Sequence, residues 1–414
     1  MTAESSIRVP APSGGGHPAL SRLVRLPVAA FAGEYWGRAP LVSSAADLPH
    51  SFADLFSPDA VDELVSQRGL RTPFLRVAKG GRTYSDRAFT DGGGIGAAVT
   101  DQVSDDKLLR LFADGATMVL QGLHRTWPAL TTFTQQLAAD LGHPVQANAY
   151  VTPPQNTGFS DHYDVHDVFV LQVGGEKRWR VHEPVRRDPL RDEPWTDHQA
   201  AVEAAALTDP LLELTLRPGD CLYLPRGYLH AASALGGVST HLTLGIHPWT
   251  RRQVADDLVA QALRRLADDP AMRQSLPLGV DLGDADDLAG PVELVRAALR
   301  TAIDALGPED LVDALGARSR RTQRAAPVGP VAQSRAAAAA GDLTTVVLRQ
   351  HLAPVLQAQP GGDSTLVSRA APVPLPAHES EVVRRLLLEG SAAVSDLGPD
   401  LTRRLLLAGV VVPG

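Results

Sequence analysis

His162 and Asp164 stand one residue apart in the stretch GFSDHYDVHDVFVLQVGGEKRWRV, and His230 follows in PGDCLYLPRGYLHAA. Two imidazoles and a carboxylate gathered on one face of an iron(II) ion leave the opposite positions open for a co-substrate and dioxygen. A three-ligand zinc site usually keeps a single open position. An H-x-D pair on a strand sends both side chains to one face, and a later strand can supply the third ligand. His166 shares that face if the strand is regular, as a competing ligand or a substrate-facing neighbour. An isolated H-x-D pair is more often two solvated loop residues. Here an apolar hairpin follows it, and His230, 66 residues after Asp164, comes after a PGD turn and a CLYLP strand, a context that favours a metal site.

Lys177 lies fifteen residues after His162 and is one of only three lysines (with Lys79 and Lys107) among 39 basic residues. A dicarboxylate that chelates iron through its keto acid end needs a cation at its far carboxylate, which a long ammonium inside a barrel can supply. The alternation Lys177, Trp179, Val181 favours an inward side chain over a surface one. Asn148 and Tyr150 share a face on an earlier strand, as His241 and Thr243 do on a later one. Each pair offers neutral hydrogen bonds to a co-substrate or, equally, structural ones.

The elements that must position these residues run from Asn148 to His247. ANAYVTP, HDVFVLQV, KRWRVHEP, LLELTLR, DCLYLP and THLTLGIHP read as short strands separated by Pro, Gly and Asp turns. Gly174 and Gly175 mark a hairpin between VFVLQV and EKRWRV. Such a run predicts a barrel or double-sheet jelly roll of the cupin kind. Upstream, the pattern predicts a helix over 105–113, a strand TMVLQGL, and a helix over 128–141. Downstream, Val254, Leu258, Ala262, Leu266 and Val295, Leu299, Ala302, Leu306 form the apolar stripes of two amphipathic helices. Residues 318 to about 333 read as a linker. Two short helices and a β-branched run then close the chain in winged-helix order.

The chain has 414 residues, 44% hydrophobic and 21% charged, which fits two or three domains. No apolar run reaches the roughly 18 residues of a membrane span, and no secretory signal opens the sequence, so a cytoplasmic protein is expected. The single Cys221 excludes an internal disulfide and a cysteine zinc cluster. Net charge is -8, which suits a basic partner. From residue 331 onward seven arginines meet seven acidic residues, so direct nucleic-acid binding is not expected.

NAYVTPPQNTGFSDHYDVHDVFVLQVGGEKRWRVHEP followed by LRPGDCLYLPRGYLHAASALGGVSTHLTLGIHP resembles the JmjC-type ribosomal oxygenases, 2-oxoglutarate-dependent protein hydroxylases of the cupin superfamily. The resemblance implies an α+β fold. A double-stranded β-helix with an N-terminal α/β elaboration would occupy residues 19–249 after a disordered leader at 1–18. A helical dimerisation domain at 250–325 and a winged-helix-like domain at 335–414 would follow. It implies iron(II) on His162, Asp164 and His230, 2-oxoglutarate against Asn148, Tyr150, Lys177 and Thr243, dioxygen as oxidant, and a homodimer. The implied reaction is hydroxylation of a histidine or arginine of a basic, ribosomal protein. Lysine demethylation or peptide tailoring by the same chemistry, a cupin enzyme using zinc or manganese without 2-oxoglutarate, and a non-catalytic metal-binding cupin regulator are the alternatives. Lys177 discriminates against the last two.

Overall fold

The computed structural model describes residues 7–8, 16–154, 156, 160–359 and 361–414, in two compact units: residues 12–248, and residues 249–414 together with 1–11. Of the predicted leader, residues 1–6 and 9–15 lie outside the described residues. Ile7–Arg8 forms a short strand whose two residues pair antiparallel with Leu356 and Val355.

The first unit is a jelly roll of antiparallel strands with helices packed around it. Its central strands are β1 (Thr117–Leu120), β2 (Val145–Thr152), β3 (Asp167–His182), β4 (Leu212–Leu216), β5 (Cys221–Leu224) and β6 (Leu229–Ile246). In the sheet β5, β3, β6, β2 and β1 are neighbours in that order, and β4 pairs with the far half of β3. The helices Asp105–Ala113 and Pro128–Leu141 fall where their spacing predicts. Leu130, Phe133 and Leu137 of the latter are buried in the same apolar cluster as Phe169 and Leu171 of β3. The opposite face of β3 contributes Val168, Val170, Trp179 and Val181 to an inner cluster with Leu222 and Leu224.

Gly174 and Gly175 do not reverse the chain as a hairpin. β3 continues through them for 16 residues, and both halves pair with the 18-residue β6. Gly175 takes φ 61° beside the Val238 carbonyl, which a Cβ would strike, so only glycine fits. The bend changes the parity of the strand. Val168 and Val170 line the interior before it, and Lys177 and Trp179 after it. β6 changes parity likewise, with His230 and Ala232 inside before the register shift between Leu235 and His241, and His241 and Thr243 inside after it.

The second unit begins with α1 (Arg251–Leu266), α2 (Ala285–Asp304) and α3 (Pro308–Thr322). A capping box at Thr250 and Gln253 starts α1. The predicted stripes are only partly covered: Ala262 and Ala302 are buried, while Val254 and Val295 are 42% and 43% exposed. The expected linker is mostly helical. Arg318 to Thr322 completes α3 and Pro330–Ala338 forms a further helix, leaving 323–329 irregular. Two small sheets follow, one of Thr345–Leu348, Ser391–Ala393 and Val411–Pro413, packed with helices Ala377–Glu389 and Pro399–Leu407 around Leu386, Leu405 and Val410.

Candidate active site

The two histidines are joined by the backbone itself. His162 N–H donates to the His230 carbonyl at 3.2 Å and His230 N–H to the His162 carbonyl at 2.9 Å, an isolated antiparallel bridge. Residues directly opposite in such a pair project to one side, and the imidazole centroids lie 4.5 Å apart. The H-x-D pair is therefore not on a regular strand, as its spacing suggested. β3 begins only at Asp167, and 163–166 form a loop. Asp164 is positioned instead by its carbonyl, which accepts from Gly227 N–H at 3.0 Å. Gly227 has φ 89°, and a Cβ there would collide with the Arg186 carbonyl. Sequence reasoning missed Gly227; the P-R-G-Y turn that contains it was its only signal.

The ligating atoms of His162, Asp164 and His230 all lie within 4.8 Å of one another, and Asp164 Oδ2 is 3.8 Å from His230 Nε2. Nδ1 of His162 faces the Ser160 carbonyl at 2.8 Å, and Nδ1 of His230 faces the Tyr228 carbonyl at 3.1 Å. With Nδ1–H donated to a carbonyl, each ring keeps Nε2 free as an acceptor, the arrangement that would orient a metal-bound histidine. Burial, reinforced by His162, holds the His230 imidazole down at about 4, in the neutral form a metal requires. Burial pushes the Asp164 carboxyl up, but His166, His230 and His162 outweigh it and keep it below the usual range. Among the described residues these three side chains form the one such donor cluster, and they fit a divalent ion with open positions. His166 is not in it; its ring meets His247 edge-on at 5.1 Å, and its Nδ1 is buried without a partner.

Lys177 is 3% exposed and lines the same cavity. Its Nζ donates to Thr152 Oγ1 at 3.1 Å and lies 3.4 Å from His241 Nδ1. No carboxylate answers it among the described residues, and burial alone lowers its pKa to about 7. His241 is itself held well below its ordinary value by burial, then by Lys177. It stacks on Tyr150 with centroids 5.0 Å apart and planes 4° from parallel, and meets Trp179 edge-on. Burial and then Asp164 raise the Tyr150 hydroxyl to about 12, so it stays a donor. Trp179 adds a buried indole N–H with no acceptor. Tyr150 and Thr243 line the cavity as their alternation predicts, but Asn148 does not. Its Oδ1 accepts from Gly122 N–H at 3.0 Å. Thr152 and Thr117 line or support the site unforeseen, linked at 3.3 Å. Thr152 continues the alternation Asn148, Tyr150 and was legible there.

The profile of the JmjC domain matches residues 125–254, which hold all three candidate ligands and Lys177. Ribosomal oxygenase 1 of Gallus gallus is 32% identical over 291 residues, 66% of this chain and 45% of that protein. The chain thus carries a JmjC domain and is similar in sequence to ribosomal oxygenases. A Drosophila persimilis relative described as a bifunctional lysine-specific demethylase and histidyl-hydroxylase NO66 is 40% identical over 104 residues, 25% of this chain and 14% of that one. The chain spans less than half the length of these relatives. The structure of the Escherichia coli ribosomal oxygenase YcfD with cobalt and 2-oxoglutarate is 16% identical, with a TM-score of 0.51 over 94% of this chain and 99% of that one. The likeness extends the shared fold over both units.

Proposed function

We propose that this chain is an iron(II)- and 2-oxoglutarate-dependent protein hydroxylase whose target is a histidine or arginine of a basic, ribosomal protein. Lys177 carries the reading: a buried ammonium that no carboxylate answers among the described residues, in the same cavity as a His-Asp-His donor set. A buried charge without a counterion is costly, and a dicarboxylate that reached from the metal to Lys177 would remove that cost. His162, Asp164 and His230 would hold the iron. Lys177, with Tyr150 and Thr243, would hold 2-oxoglutarate, and Thr152 and His241 would keep the ammonium in place. When bound, iron with 2-oxoglutarate and dioxygen supplies the oxidation that places one oxygen atom on a target carbon. The solved relative holds cobalt and 2-oxoglutarate, which supports the same pair of ligands here. A sensor without turnover would have no need of the Lys177 anchor.

The name of the NO66 relatives favours histidine as target and keeps lysine demethylation as a second reading. Turnover of 2-oxoglutarate with iron(II), measured with and without ribosomal proteins from the source organism, tests the proposal. Succinate formation coupled to a gain of one oxygen on a ribosomal protein is expected. Turnover with no ribosomal target would remove the substrate, and loss of methyl groups from a lysine would favour the second reading. The partly exposed apolar residues of α1 and α2 support a homodimer formed through these helices, and a cytoplasmic location fits the absence, among the described residues, of a helix able to cross a membrane.

A further inference from the structure

The bends of β3 and β6 that set the parity of the cavity wall meet at one side chain. Gln172 is fully buried, two residues past Val170 on the same strand face and directly opposite His241 in the register of β6. Its Nε2 donates to the Gly174 carbonyl at 2.8 Å, to the Gly175 carbonyl at 3.0 Å and to Ser239 Oγ at 2.9 Å. The first two acceptors are the bend of β3 itself, and the third stands in the register shift of β6 between Leu235 and His241. Carbonyls can only accept, so the amide turns its nitrogen toward them, and Oε1 is left buried with no partner. A buried acceptor without a donor costs stability, which an apolar side chain of the same length would avoid. The backbone of Gln172 is anchored as well: its N–H donates to the Asp220 carbonyl at 3.0 Å, and its carbonyl accepts from Gly219 N–H at 2.9 Å. Nothing packs within 4 Å of where a Cβ would stand on Gly236 or Gly237, so close packing at those two does not hold the shift of β6. Lys177 stands two residues after Gly175, and His241 two after Ser239. A slip of one residue in either strand would send that side chain to the opposite face.

We infer that Gln172 is a positioning residue for the co-substrate, a clasp whose amide holds both bends and so keeps Lys177 and His241 facing the cavity. The inference rests on the proposed function for the identity of that co-substrate. The three metal donors lie outside the clasp: His162 and His230 are held by their own backbone bridge, and Asp164 by Gly227 N–H. Loosening Gln172 therefore divides the site, weakening the anion anchor and sparing the metal.

The chain has only three lysines, so carbon NMR of the metal-free, lysine-labelled protein can follow each side chain. In the wild type Lys177 should titrate at about 7. In Gln172→Met, which keeps the length and removes Nε2, that titration should move up by about one unit or more, toward the ordinary value of 10.5. Calorimetry of the cobalt(II)-loaded protein without dioxygen gives the second readout. Gln172→Met should weaken 2-oxoglutarate about tenfold and leave cobalt affinity unchanged, and the milder Ser239→Ala, which removes one acceptor, should weaken it about threefold. In a Lys177→Ala background Gln172→Met should add no further loss, because the two act through one contact. Equal loss in both backgrounds, a parallel loss of cobalt binding, or an unmoved Lys177 titration in both Gln172→Met and Ser239→Ala overturns the inference. A wild-type protein that binds no 2-oxoglutarate removes the hydroxylase reading instead, and the lysine titration then decides on its own whether the clasp holds Lys177.

Discussion

The barrel and the helices that follow it leave opposite kinds of business unfinished. Inside the barrel, apolar side chains line a cavity and a polar group lacks its partner: Lys177 is buried with a hydroxyl and an imidazole and, among the described residues, no anion. On α1 charged and polar groups find protein partners in the capping box at Thr250 and in the pairs of Arg265 with Asp310 and Arg318 with Asp257, while Val259, Leu263, Val292 and Leu294 of α1 and α2 stand 44 to 54% exposed. The missing partner has the chemistry of the imbalance. An unanswered buried cation calls for a small anion and an uncovered apolar face for another apolar face.

The sharpest way to break the comparison is at the metal end of the barrel. His162→Ala or His230→Ala should abolish 2-oxoglutarate turnover, with the circular dichroism spectrum retained. Full activity in either would remove the site. At the helices, Val259→Glu with Leu263→Glu should convert dimer to monomer in sedimentation at micromolar concentration, since charge is excluded from an apolar interface core. A wild-type protein that is already monomeric would make the exposed residues ordinary surface. Lys177→Ala should raise the KM for 2-oxoglutarate by roughly ten- to a hundredfold, the equivalent of about 1.5 to 3 kcal/mol for a charge-assisted hydrogen bond, and Lys177→Arg should recover part of it.

Proton linkage sharpens the same point. The folded protein holds Lys177 near pH 7, against an ordinary value of 10.5, so between these values the unfolded chain binds more protons and stability rises with pH. The whole rise is of order a few kcal/mol at about 1.4 per unit. Urea midpoints of the metal-free protein between pH 7 and 10 should follow it, and Lys177→Met should flatten the curve. Smallest is Thr152→Val, which removes one acceptor from Nζ and should weaken 2-oxoglutarate by about threefold to tenfold. A change as large as that of Lys177→Ala would mean that Thr152 touches the co-substrate itself.

Residue type was enough to single out the three donor side chains and the scarce lysine, and the helices 105–113 and 128–141 and the strand-rich centre were legible because each is a local pattern of period two or 3.6. Tyr150, Thr243 and Lys177 were legible for the same reason. Tertiary structure decided what local pattern cannot contain. Gly174 and Gly175 read as a turn, yet they bend one long strand, because the partner that keeps both halves extended is β6, more than fifty residues on. The same parity change is what turns Lys177 toward the cavity that Val168 and Val170 line. His162 and Asp164 sit two apart as strand residues would, but a bridge to His230 and a hydrogen bond from Gly227 aim them from a loop. Asn148 kept its predicted strand, and a backbone N–H from Gly122 engaged its side-chain oxygen. A sequence lists which groups can bond; only the folded chain decides which of them meet, since many of the partners that buried donors and acceptors find lie far away along the chain.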